Sequence, residues 1–229
     1  MDLIPNKKII ILLSILSLSA CGQASNFDDI EKSANRGDAL SQALLGEAYF
    51  NGEGVSQDYK KAFEWYRKAA QQGNVDAQNN LGALYANGQG VAEDDKKAFE
   101  WYSKAAQRGN IQAQNNLGAA YANGEGVAQD YKKAFEWYSK SAEQGNADAQ
   151  KYLGFLYEDG SGVTQDYKKA FEWYSKAAEQ GNADAQFTVG MMYLRGDGAA
   201  QNNEIAEIWL KKAAANGHQD AVSLFTDNQ

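Results

Sequence analysis

Apolar residues recur at helical spacing along most of this chain. Ala77, Leu81, Leu84 and Tyr85 fall at i, i+4, i+7 and i+8, one face of a helix that starts after Asn74. Asn74 is a good N-cap, because its side chain can accept a backbone N–H that has no partner in the first turn. Gly82 sits inside this helix at a cost of about 1 kcal/mol relative to Ala, which predicts close approach of a neighbouring helix. The helix should stop at Asn87-Gly88, and Gly90 suits a loop residue with positive φ. Val91 is an apolar residue in that polar loop and is expected to plug the core. Asp94 then caps a second helix. In the preceding stretch the second helix carries Tyr59, Ala62, Phe63, Tyr66, Ala69 and Ala70 at i, i+3, i+4, i+7, i+10 and i+11. Gly73 and Gly109 supply the left-handed residue that ends it.

The pair of helices repeats. Trp65, Trp101, Trp137, Trp173 and Trp209 are 36 residues apart, as are Gly46, Gly82, Gly118, Gly154 and Gly190. A fixed period of this length marks a solenoid, in which no unit buries its apolar face alone and stacking completes the core. The expected fold is all-α, a right-handed α/α superhelical solenoid of 36-residue helix-loop-helix repeats. Its five repeats are 38–73, 74–109, 110–145, 146–181 and 182–217, followed by a partial repeat at 218–229. Residues 27–37 align with the second half of a unit and read as an N-terminal cap helix. Asp28, Asp29 and Glu31 give that helix a polar outer face. The fifth unit departs from the pattern at Asn203, Glu204, Ile205 and Glu207. That departure predicts either irregular packing of its second helix or adaptation to the chain end.

The first 20 residues read as an address. Lys7 and Lys8 precede an apolar run over Ile9–Leu18, about half of what a bilayer span needs. A basic start, a short apolar core and small residues at the end fit a signal peptide. Leu18-Ser19-Ala20-Cys21 resembles the lipobox of bacterial lipoproteins, which implies lipidation of Cys21 (a palmitate-type anchor) as the new N-terminus. The alternative is an ordinary signal peptide with a chance Cys. Residues 21–26 then form the lipidated Cys and a short tether. Gly22, rather than Asp, implies by the same resemblance the outer membrane, with the chain facing the periplasm.

Composition removes several functions. Without Lys7, Lys8 and Asp2 the 22 basic and 30 acidic residues leave a net charge of −9, against the basic face that nucleic-acid binding needs. One Cys and one His leave no Cys-rich zinc site and no His-based nucleophilic triad. The acidic residues mark no desolvated carboxylate pair, and the loops lack the acidic series of a calcium site. No catalytic residue, metal site or cofactor is expected. The periodic Trp residues read as packing between units, and Lys pairs such as Lys60-Lys61 and Lys132-Lys133 as a solvated face. His218, at the N-cap position of the last helix, reads as a surface residue.

The run Ala77-Gln78-x-x-Leu81-Gly82-x-x-Tyr85, Asn87-Gly88-x-Gly90-Val91 and Lys97-Ala98-x-x-Trp101-Tyr102-x-Lys104-Ala105-Ala106 resembles a Sel-1-like repeat. That family is related to the tetratricopeptide repeats, whose shorter unit lacks the Gly-x-Gly-Val loop. The resemblance implies a non-enzymatic solenoid that binds a protein or peptide partner and organises complexes. By likeness to some envelope members, it also implies an alternative, an immunity protein that neutralises a periplasm-acting lipase-type toxin.

Shared positions hold a stack together, so divergent positions are where a surface is free to specialise. Positions 80, 83 and 87 read Asn80, Ala83, Asn87, and then Asn116, Ala119, Asn123 one unit later. In the fourth unit they become Tyr152, Phe155 and Asp159, and in the fifth Thr188, Met191 and Arg195. The adjoining row adds Lys151, Glu158, Phe187 and Leu194. First helices line the concave face of tetratricopeptide-like solenoids. The expected partner site is therefore Tyr152, Phe155, Phe187 and Met191, flanked by Lys151 and Arg195, with a core of the kind found at interfaces. The competing reading is extra packing near the C-terminal end.

Overall fold

The computed structural model describes residues 20–226, with side chains from Phe27 to Phe225. Every regular element among these residues is an α-helix. In chain order they are α1 (Ala20–Asn35), α2 (Ala39–Asn51), α3 (Tyr59–Gln71), α4 (Val75–Asn87), α5 (Asp95–Gln107), α6 (Ile111–Asn123), α7 (Tyr131–Glu143), α8 (Ala147–Asp159), α9 (Tyr167–Glu179), α10 (Ala183–Arg195), α11 (Asn203–Ala215) and α12 (Gln219–Thr226). The 36-residue α/α repeat is therefore the fold. The expected signal peptide falls almost wholly on residues 1–19, outside the described residues, and the side chain of Cys21 is outside them too. The backbone of 20–26 is helical, so the segment expected as a tether continues α1. It contains no proline and no β-branched residue that would oppose this.

Each helix ends where the sequence marks it. Asn74 Oδ1 accepts from Ala77 N at 2.8 Å, and Asn110 and Asn146 repeat that bond at the same distance. The second helices α3, α5, α7 and α9 are capped by aspartate, for example Asp94 Oδ1 from Lys97 N at 3.0 Å. The hydrogen bond from Lys97 N holds the Asp94 carboxyl below the usual carboxylate range. Gly88 terminates α4 in the left-handed region, with φ +63° and its N–H on Leu84 O.

The described residues form two compact units, one ending at Gln129 and one starting at Asp130. In the first, α2 packs on α3 and α4 on α5, and α3 packs on α4 and α5 on α6. Ala62, Tyr66, Ala69, Ala77, Leu81 and Leu84 form its core, with Trp65, Trp101 and Val55 half-buried against it. In the second, α7 packs on α8, α8 on α9, α9 on α10, and α10 on α11. Its core includes Tyr174, Ala177, Val189 and Met192. In both units the second helix reads the gap left by the mid-helix glycine. A Cβ on Gly82 would lie 2.7 Å from the Tyr102 ring, and one on Gly154 2.9 Å from the Tyr174 ring.

Gly90 does more than permit positive φ. At φ +73° a Cβ there would stand 2.1 Å from Tyr59 O, so the loop of one repeat rests on the first turn of the preceding second helix. Val91 is half-buried in the same loop. The fifth unit packs regularly. Helix α11 has the same length as its equivalents, Asn202 caps it at 3.0 Å, and Leu210 replaces the tyrosine under Gly190. Glu207, in the place of a phenylalanine, pairs with Lys211 at 2.7 Å. Lysines cover the tryptophans throughout, as with Lys104 Nζ 4.0 Å from the Trp101 ring and Lys176 Nζ 3.8 Å from Trp173.

Candidate functional site

The six residues singled out by sequence lie on α8 and α10, all in the second unit. Tyr152 is half-buried, its ring stacked on Tyr138 at 5.1 Å and 28°. Lys151 points along the same face. Its Nζ lies 2.9 Å from Asp184 Oδ2 and 4.7 Å from the Tyr152 ring, with its side chain 16% exposed. Burial opposes its charge, but Tyr152 and the carboxylates of Asp184 and Asp148 outweigh burial and hold its pKa above the ordinary value. Burial likewise raises the pKa of the Tyr152 phenol, with Lys151 opposing.

On α10, Phe187 is half-buried and stacked on His218, with centroids 4.2 Å apart and planes at 10°. Met191 follows one turn later, half-buried, and Arg195 ends the helix exposed. Phe155 is half-buried against the core around Tyr174 and Val189. The structure thus ties Lys151 and Tyr152 to α10 through Asp184, with Phe187 further along that helix, and places Phe155 partly in the core. Each aromatic ring is held by a neighbour, so the face is ordered before any partner arrives, which lowers the entropy cost of binding.

Sequence reasoning gave no part here to Asp184, Leu224 or the His218 ring. Asp184 neutralises Lys151. Leu224 is 46% exposed and stands 36 residues after Thr188, so the period alone would have found it. His218 does two jobs: its ring covers Phe187, and its Nδ1 accepts from Ala221 N at 3.3 Å as the cap of α12.

The positions of Lys151, Tyr152 and Phe187 are amides on α4 and α6 in the first unit, and these close on one another, whereas those of Phe155 and Met191 are Ala83 and Ala119. Asn116 Nδ2 donates to Asn79 Oδ1 at 3.0 Å and Asn79 Nδ2 to Asn80 Oδ1 at 3.2 Å. Asn79 and Asn116 are 4% and 7% exposed. A second repeating amide, unremarked in the sequence, ties helix to helix: Gln78 Nε2 donates to Ala70 O and Gln150 Nε2 to Ala142 O, each at 3.1 Å. Among the described residues no group of His, Cys, Asp and Glu is placed to hold a metal ion, and no helix is long and apolar enough to cross a membrane.

Capped helix pairs at a fixed 36-residue period, with their variable surface on the first helices, define the chain as an α/α repeat protein. The Sel1 repeat matches residues 39–74, 75–110, 111–146, 147–182 and 183–218, and the chain belongs to that family. The matched frame begins one residue after the frame read from sequence, a choice of phase within one period.

A protective antigen of uropathogenic Escherichia coli has a similar structure, with 38% identity and a TM-score of 0.82 over 87% of this chain and 43% of that one. This chain therefore spans less than half the length of that antigen. A Sel1 repeat protein from Oxalobacter formigenes shares 31% identity at a TM-score of 0.78, covering 87% of this chain and 84% of that one. An immunity protein of Pseudomonas aeruginosa, 23% identical with a TM-score of 0.55 over 87% and 75% of the two chains, shares the fold. The search of curated proteins found no match. Sel1 repeat proteins in general are protein-binding scaffolds and not enzymes.

Proposed function

We propose that this chain is a non-enzymatic adaptor, anchored by lipid at Cys21 and facing the periplasm from the outer membrane, that binds a protein or peptide partner. The partner surface is the face of α8 and α10, with Tyr152, Phe155, Phe187 and Met191 at its centre and Lys151 and Arg195 at its edge. One observation carries this reading. Asn79 and Asn80, amides that pair with one another and with Asn116 in the first unit, are replaced by Lys151, Tyr152 and Phe187 in the second, and Ala83 and Ala119 by Phe155 and Met191. Half-buried aromatic and Met side chains on an ordered scaffold are the composition of interface cores.

The test is affinity capture from solubilised envelope with residues 22–229 as bait, beside a Phe155→Ala/Met191→Ala variant. One protein held by the wild type and lost by the variant at unchanged helicity supports the site. Loss of helicity or of melting temperature assigns these residues to the core and removes the site. Cys21→Ser should release the chain from the membrane fraction; retention in that fraction overturns the anchor.

A second reading, an immunity protein against a lipase-type toxin, is favoured by the acidic balance, which suits a basic partner and speeds its association. Capture of an added toxin of this class, with no resident envelope protein retained, would select it.

A further inference from the structure

Asparagine precedes glycine at four places in this chain, Asn51-Gly52, Asn87-Gly88, Asn123-Gly124 and Asn216-Gly217. The pair is chemically labile, because a glycine nitrogen has no Cβ beside it and can reach the carbonyl carbon of the preceding side chain. In each pair the fold ties up that nitrogen. Gly52 N donates to Ala48 O at 2.8 Å, Gly124 N to Ala120 O at 2.9 Å, Gly217 N to Ala214 O at 3.0 Å, and Gly88 N to Leu84 O. Attack therefore waits on fraying of the last helical turn, where local opening is easiest.

The side-chain amides separate the four. Asn87 Nδ2 leans back onto its helix and donates to Ala83 O at 3.0 Å. Asn216 Nδ2 donates at 2.8 Å to Oε1 of Gln186, a buried residue. Asn51 and Asn123 lean the other way. Their Nδ2 atoms donate past the glycine to Glu53 Oε1 at 3.2 Å and Glu125 Oε1 at 3.3 Å, both at the surface. At Asn87 and Asn216 a half-buried bond must also open before the side chain can turn to the glycine nitrogen. At Asn51 and Asn123 the side chain already lies on that side. The acceptor two residues on is matched to the amide. Asp159 stands at the same place in the second unit, and there residue 161 is a serine whose Oγ donates to Asp159 Oδ2. A carboxylate can only accept, so it is met by a donor.

We propose that Asn51 and Asn123 are sites of non-enzymatic deamidation in the folded chain, and that the reaction loosens the loop after each. The Gly124 nitrogen gives its proton to solvent base and bonds to Asn123 Cγ. The Cγ–Nδ2 bond breaks, and the departing nitrogen takes a proton from water and leaves as ammonia. Water then opens the cyclic imide at either carbonyl, leaving aspartate or isoaspartate, with no oxidation or reduction. The product and Glu125 are two acceptors with no donor between them. The new charge also sits at the negative end of the helix dipole. The loop it borders is the one in which Gly126 rests on Asp95 O. None of the residues proposed for the partner surface takes part.

Peptide mapping by mass spectrometry, with aspartate and isoaspartate resolved, tests it on the whole chain held in mildly alkaline buffer. In the folded chain Asn51 and Asn123 should convert several-fold faster than Asn87 and Asn216. In urea all four should convert at similar rates, since each is followed by glycine. Equal rates in the folded chain overturn the proposal, as does Asn87 or Asn216 converting first, or a ranking that survives urea unchanged. Asn123→Asp should lower the urea midpoint of unfolding. Asn123→Asp/Glu125→Ser, which copies the Asp-Gly-Ser sequence at the end of α8, should restore it. A midpoint unmoved by the first variant, or not recovered by the second, overturns the effect on the loop.

Discussion

At the scale of single residues, the repeat makes its own controls. Gln72 Nε2 donates to Gln42 Oε1 at 2.7 Å, and Gln180 to Gln150 at the same distance; Asn216 serves Gln186 at 2.8 Å. At the equivalent place Arg108 donates instead to Gly73 O, and the buried Oε1 of Gln78 has no partner. An orphaned buried acceptor costs more than an ordinary hydrogen bond contributes. Arg108→Gln should therefore stabilise the chain by about 1 kcal/mol, read as a higher urea midpoint at unchanged slope. A midpoint at or below that of the wild type would remove this account. Arg108 was visible in the sequence as a departure, but the partner it abandons was not, because residues 30 apart meet only once the helices pack.

At the scale of the helix, Gly82 sets a local preference against a tertiary demand. Alanine would gain about 1 kcal/mol of helix propensity. Its Cβ would press on Tyr102, whose ring is buried and cannot retreat, and overpacking of this kind costs about 1–3 kcal/mol. Gly82→Ala should lower the melting temperature, and a rise would show that the ring yields. The sequence predicted a close approach at this glycine and could not name the tyrosine that makes it. It also left open whether Asn203, Glu204, Ile205 and Glu207 disturb α11. They do not, because Ala206, Leu210 and Ala213 keep the buried face while the changes fall mainly on the exposed one.

At the scale of the whole molecule, contacts within each unit run between neighbouring helices, so the stability of each is close to a sum over adjacent repeats. Removing residues 74–109 joins Gly73 to Asn110, the same Gly-Asn step that precedes every internal first helix. The shortened chain should fold with a helical spectrum in proportion to its length and a lower melting temperature. Failure to fold would mean that the repeats depend on more than their neighbours. The proposed partner surface belongs to this scale as well. Its six residues were singled out by divergence between repeats, whereas the pairing of Lys151 with Asp184 and of Phe187 with His218 was not legible.

The sequence by itself determined the period, the boundaries of the repeat helices, their caps and the fold class. These follow from local chemistry: a cap must lie within three residues of the N–H it accepts, a left-handed stop needs glycine, and an amphipathic face declares itself every turn. Only the tertiary structure decided which ring fills the notch at each glycine, which amide serves which carbonyl, and that Asn79 and Asn116 close one face while Tyr152 and Phe187 furnish the other. Those choices depend on side chains that lie far apart in sequence and meet by packing, where a distance of a few ångströms selects between a hydrogen bond, a stack and an open surface.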